Sequence, residues 1–93
     1  MLSPLVSIAL AVLIDLPEGQ PYYVATLAAL VHAAHARSVD AHVEVVRTDR
    51  LGDGSRLPYS AVVIGPGSPY REPEAVITAV RTAREQGIPL VAT

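Results

Sequence analysis

The sequence predicts an α/β fold, a parallel sheet with helices packed on it. Three observations carry this expectation. Residues 6–14 (VSIALAVLI) and 61–64 (AVVI) are apolar runs without alternation, the pattern of strands covered on both faces. Two stretches, from Val24 and from Val76, repeat apolar residues at helical spacing. The order strand, helix, strand then occurs on either side of one polar loop, and such alternation belongs to sheets whose parallel strands are joined by helices.

The first strand is interrupted only by Ser7 and closed by Asp15. This N-terminal run is long enough for a signal-peptide core, but no Lys or Arg precedes it and it is too short to cross a bilayer. It reads as a strand of a cytoplasmic protein. Pro17, Glu18 and Gly19 break it, and Pro21 suits the first turn of a helix, where its missing N–H costs nothing. Val24, Leu27, Ala28, Val31 and Ala34 predict the core-facing stripe of that helix, which fades near Ser38. Residues 41–46 alternate Ala41, Val43 and Val45 with His42 and Glu44, as a half-exposed edge strand does. The polar segment RTDRLGDGSRLPYS leads into the third strand at 61–64. Glu72, Pro73 and Glu74 suit the start of a second helix, with Val76, Ile77, Val80 and Ala83 as its inner stripe. Gly87 caps that helix, Pro89 follows, and Leu90, Val91 and Ala92 begin a fourth strand. With the second strand at an edge, the expected sheet order is 2-1-3-4, a flavodoxin-like three-layer arrangement. Ligands there sit beyond the carboxyl ends of the strands, where Asp15, Gly65 and Thr93 fall.

Composition narrows the function classes. Ninety-three residues make one small domain or a piece of a larger one. Apolar residues are 51% of the chain, without Trp or Phe, so the core is aliphatic and its stability modest for this size. A net charge of −2 leaves no basic footprint for nucleic acid. Without cysteine there is no disulfide, thiolate metal site or thiol nucleophile. No cofactor is expected: the turn after the first strand (DLPEGQP) lacks the G-x-G-x-x-G fingerprint, and no phosphate-cradling G-x-x-x-x-G-K-[ST] occurs. His32 and His35 lie one helical turn apart, but His42 stands on another element and a metal needs a third ligand, so they read as surface. Tyr22 and Tyr23 read as packing and surface residues, and Glu44, Arg81, Arg84 and Glu85 as solvated surface.

The chemically informative stretch is AVVIGPGSPY, where an apolar strand stops in Gly65-Pro66-Gly67-Ser68-Pro69. Glycines leave backbone N–H groups uncovered and prolines stiffen the segment. At the carboxyl edge of a sheet such a loop is able to hold donors for a developing oxyanion. The other reading is a tight strand-to-helix turn without a ligand.

VSIALAVLIDLPEGQPYYVATLAALVHAA, followed by YSAVVIGPGSPYREPEAVITAVRTAREQGIPLVAT, resembles the opening half of a class I glutamine amidotransferase domain. It is most similar to the C-terminal region of CTP synthase and to the CTP synthase C-terminal-region-related (seleno)proteins. The loop-to-end segment is its specific part; strand 1 ends in VLID where CTP synthases often have Gly-Lys. The resemblance implies that Gly67, or Gly65 in relatives whose loop reads Gly-Pro-Gly, donates to the oxyanion hole and lines a glutamine pocket. It also implies that a nucleophile elbow follows IPLVAT, with a Cys-His-Glu triad completed further on. This chain has none of the triad, so it is expected to be the inactive N-terminal half of the domain, without the amidoligase that makes CTP. In the related selenoproteins the nucleophile position can hold selenocysteine, encoded by UGA; the resemblance leaves two expectations after Thr93, a UGA codon, or an ordinary frameshift or deliberate truncation. The implied partners are a glutamine-like small molecule in the complete form and a homo-oligomer or partner subunit, with no nucleic acid and no membrane. The alternative is a non-catalytic flavodoxin-like binding or subunit-interaction module.

Overall fold

The computed structural model of the chain describes residues 6–67 and 69–93. Ser68 of the Gly/Pro loop and residues 1–5 of the N-terminal run lie outside them. The element order is β1 (Val6–Leu13), α1 (Pro21–Ala36), β2 (Val39–Val46), β3 (Ala61–Ile64), α2 (Pro73–Gln86) and β4 (Leu90–Ala92). The strands form one parallel sheet in the order β2-β1-β3-β4. The chain moves outward from β1 to β2 and the other way from β3 to β4. Since crossovers are right-handed, the two connecting helices fall on opposite faces.

Side-chain alternation along β1 divides the core accordingly. Ala11 and Leu13 point to the α2 face, where they pack with Val62, Ile64, Val76 and Ala79. Leu10, Val12 and Ile14 point to the α1 face with Val63, against Tyr23, Leu27 and Leu30. The strand is buried only from Leu10 onward, because β3 is four residues long and pairs with Leu10–Leu13. The first half of β1 pairs with β2 alone and leaves Val6 64% exposed. The sequence pattern, read as two-sided burial throughout, overstates the length of β3 as a neighbour.

The helices differ from their expected orientations. The inner side of α1 carries Tyr23, Leu27, Leu30 and Ala34, while Val24 and Val31 are 54% and 59% exposed. The predicted stripe of Val24, Leu27, Ala28, Val31 and Ala34 is therefore split between an inner and an outer face. Apolar residues occupy nearly every position of α1, so periodicity alone does not choose the face. In α2 the buried positions are Ala75, Val76, Ala79, Thr82 and Ala83. Ile77 and Val80, expected inside, are exposed, Val80 beside Leu90 of β4. Boundaries follow local chemistry: the Gln20 side chain accepts from the N–H groups of Tyr22 and Tyr23 at the start of α1, and Gly87 ends α2 in the left-handed conformation.

The polar segment after β2 is part of the fold. It forms a 3-10 turn at Thr48–Arg50, buries Leu57 in the α2-side core, and lays Gly54 against α2. Gly54 has φ +82, and a Cβ there would sit 2.3 Å from the Ala75 carbonyl oxygen. Only glycine fits that approach.

Candidate functional site

The carboxyl ends of β1, β3 and β4 converge. Gly65 N–H donates to the Leu13 carbonyl at 2.8 Å, and Thr93 N–H to the Ile64 carbonyl at 3.0 Å. These bonds extend the parallel ladder one step past each strand and place Asp15, Gly65 and Thr93 along one edge. The Gly/Pro loop leaves β3 there, its start tied by the Tyr70 hydroxyl donating to the Gly65 carbonyl at 3.0 Å.

The two glycines have different roles. The Gly65 N–H is spent in the ladder, and a Cβ at Gly65 would press on Ile14 at 3.0–3.2 Å. Gly67 has φ +115, and a Cβ there would meet Leu16 at 2.8 Å. This turn needs a residue that tolerates positive φ and lets the backbone lie on Leu16. Of the two backbone donors singled out from the sequence, the Gly65 N–H is thus engaged within the fold.

Asp15 is the organising side chain of the edge. Its Oδ1 accepts from Thr48 N–H at 2.8 Å, and its Oδ2 accepts from the Thr48 hydroxyl at 2.6 Å and from Arg71 N–H at 2.8 Å. The Thr48 hydroxyl oxygen in turn accepts from Glu72 N–H at 3.0 Å, and Thr48 is fully buried. One carboxylate therefore straps the end of β1 to the 3-10 turn and to the entry of α2. Burial raises the Asp15 pKa, but the Thr48 hydroxyl, the Arg71 and Thr48 N–H groups and the Arg71 charge outweigh it and hold the group below its ordinary 3.8. A carboxylate so engaged is a strap, not a proton carrier. Thr48 and Arg71 are not legible in the sequence as its partners, because each lies in a turn or at a helix entry without a pattern of its own.

Beside this edge, on the α1 face, an apolar groove of about 490 Å³ runs between α1 and β4, lined by Tyr22, Ala29, Val63, Pro66, Val91 and Thr93 among others. Val91 is 60% exposed. Across the sheet, Ile77 and Val80 of α2 are exposed as well. The β4 flank thus presents apolar side chains from all three layers, and β4 pairs on one side only among the described residues.

The other residues weighed from the sequence lie apart from this edge. No group of three potential metal-ligating side chains occurs among the described residues, and His32, His35 and His42 are exposed. Tyr23 packs on the sheet whereas Tyr22 is 66% exposed. Glu44 is not simply solvated: it accepts a hydrogen bond from the Tyr59 hydroxyl, which with burial and the carboxylate charge raises the Tyr59 pKa to about 12. No helix of the described residues is long and apolar enough to cross a membrane. No family model, curated protein or solved structure matches this chain.

Proposed function

We propose that the chain is the N-terminal half of a flavodoxin-like, class I glutamine amidotransferase-like domain of the CTP-synthase-related type, working on a glutamine-like small molecule in its complete form. The observation that carries this reading is the Gly65-Pro66-Gly67 turn at the carboxyl edge, directly beside a β4 flank whose three layers are all apolar. A parallel strand added beyond β4 would cover that flank, a right-handed crossover would carry the connecting helix over the α2 face, and a nucleophile at the turn that leaves β4 would stand at the carboxyl edge with the Gly67 turn. Within this reading Gly67 is the oxyanion donor, because the Gly65 N–H already serves the sheet, and Gly65 shapes the pocket floor. This chain contributes no catalytic side chain, so alone it is inactive.

The test is glutamine hydrolysis by the longest natural polypeptide that contains these residues. Gly67→Pro removes the donor and also forbids the positive φ of the turn, so turnover is expected to fall by at least about 10²–10³, the usual effect of losing one oxyanion donor. Turnover unchanged by Gly67→Pro removes the loop from the mechanism, and a longer polypeptide without glutaminase activity rejects the amidotransferase reading. The second reading, a non-catalytic binding module, draws on the apolar groove itself and on Asp15 being fully engaged. It predicts that an apolar small molecule protects Val91→Cys from alkylation while glutamine does not.

A further inference from the structure

The helix α1 has no charged face. Its sixteen residues, Pro21–Ala36, contain no Asp, Glu, Lys or Arg, and none of them is buried. A helix that is apolar all round is normally covered all round. The inner stripe Tyr23, Leu27, Leu30 and Ala34 packs on the sheet. A second stripe, Pro21, Val24, Ala28, Val31 and His35, repeats at the same alternating three- and four-residue spacing on the β2 side, exposed along its whole length. That spacing is the seam by which one helix pairs with another.

We infer that this second stripe is the contact through which two copies of the chain pair, α1 against α1, antiparallel about a two-fold axis at Ala28. Three features favour a second copy as the occupant. An interface on a two-fold axis sets each residue against itself or its near neighbours, so a self-pairing face must carry no charge that would meet its own image. The stripe carries none. The antiparallel register matches itself: Ala28 meets Ala28 at the axis, where helices approach most closely, and Val24 of each copy meets Val31 of the other. The charges that flank α1 have opposite sign at its two ends. Glu18 precedes the helix and Arg37 follows it, both exposed, so the pairing brings each Glu18 near the other copy's Arg37. At 1.5 Å per residue α1 is roughly 24 Å long and, with its side chains, about 10–12 Å across; the cleft at its β2 shoulder carries Asp40 beside Val31 and His35 and lies outside the pairing strip. Two such faces bury on the order of 500 Å², below the roughly 1,000 Å² that a stable specific interface clears, so the dimer is weak and forms with rising concentration. The stripe lies on the opposite side of α1 from the groove, and the inference does not depend on the amidotransferase reading.

The experiment is sedimentation velocity over a concentration series, together with single-cysteine crosslinking in this cysteine-free chain. The expected result is a reversible monomer–dimer equilibrium whose dissociation constant rises at least about tenfold in Val31→Glu, a loss of the size that interface hot spots show. Ala28→Cys is expected to form a disulfide dimer under mild oxidation, and Val91→Cys is not. A monomer at every concentration, a dimer indifferent to Val31→Glu, or crosslinking through Val91→Cys in place of Ala28→Cys overturns the proposal. The crosslinking pair remains decisive if Val31→Glu fails to fold.

Discussion

The two faces of the sheet are built on different rules. The α2 face is the better covered: five helix residues are buried, the helix charges Glu74, Arg81, Arg84 and Glu85 point outward, and the 48–57 segment fills one shoulder with Thr48 and Leu57, although Ile77 and Val80 stay exposed. The α1 face is held by a helix of equal regularity that buries no residue and carries no charge. One chain thus contains an amphipathic helix finished against solvent and an apolar helix finished against nothing in the described chain. The difference shows that α2 owes its place to the fold of this chain, whereas the outer surface of α1 is left uncovered by the described residues. The comparison has mechanical consequences that mutation exposes.

The largest effect is expected where the α2 face is fullest. Ala79 is fully buried among β1, β3 and the Gly54 segment. Ala79→Asp places an unpaired carboxylate there, at a cost of several kcal/mol. The whole stability of a domain this size is about 5–10 kcal/mol, so the cooperative urea transition should be lost or moved to very low denaturant. A variant that melts like the parent would show that the α2 face is as loosely finished as the α1 face.

An intermediate effect is expected at the strap that ties the α2 face to the carboxyl edge. Asp15→Asn keeps the shape of the side chain and loses the charge behind three hydrogen bonds. The expected loss is about 1–2 kcal/mol, reduced from the value for fully buried charged partners because Asp15 is partly exposed. The same group predicts a pH dependence. Its folded pKa lies below the unfolded 3.8, so the unfolded chain binds the proton first as pH falls. The stabilisation is therefore complete above the unfolded value and drains away as pH falls through 3.8 and then the folded value. Denaturation midpoints measured between about pH 6 and pH 3 should fall less steeply in Asp15→Asn than in the parent. Parallel pH profiles would mean that the strap contributes no stability.

How much of this was legible in the sequence depends on whether neighbouring positions compete. The strands were readable because Gly, Pro and Asp punctuate apolar runs, and α2 because its charges leave few positions free to face inward. Even so, Ile77 and Val80 read as inward-facing, since an apolar side chain at helical spacing gives no sign of whether a neighbour covers it. In α1 apolar residues compete at nearly every position, and the face was chosen by contacts of Tyr23 and Leu30 with the sheet. The glycine turn was visible as a turn; that the Gly65 N–H belongs to the ladder was not, because it depends on register with Leu13. The Asp15–Thr48 strap joins residues 33 apart in sequence, and no local pattern marks either partner.

The smallest effect, and the one whose sign separates the two faces, is expected at Val24. At a buried position of α2 such as Ala79, replacing an aliphatic residue by a carboxylate is ruinous. On α1, Val24→Glu removes a side chain that is already 54% exposed, so little apolar burial is lost. It replaces a β-branched residue by a better helix former, a gain of a few tenths of a kcal/mol. Val24 also lies in the first turns of α1, whose first turn contains no acid, and a carboxylate near a helix N-terminus is favourable by about 0.3–1 kcal/mol. These gains offset the lost contact, so stability at low protein concentration, where copies do not meet, should stay within about 0.5 kcal/mol of the parent. Urea denaturation of dilute protein checks this. A loss comparable to that of Ala79→Asp would mean that Val24 is packed within its own chain, and the distinction between the two faces would fail at the residue where it is drawn most sharply.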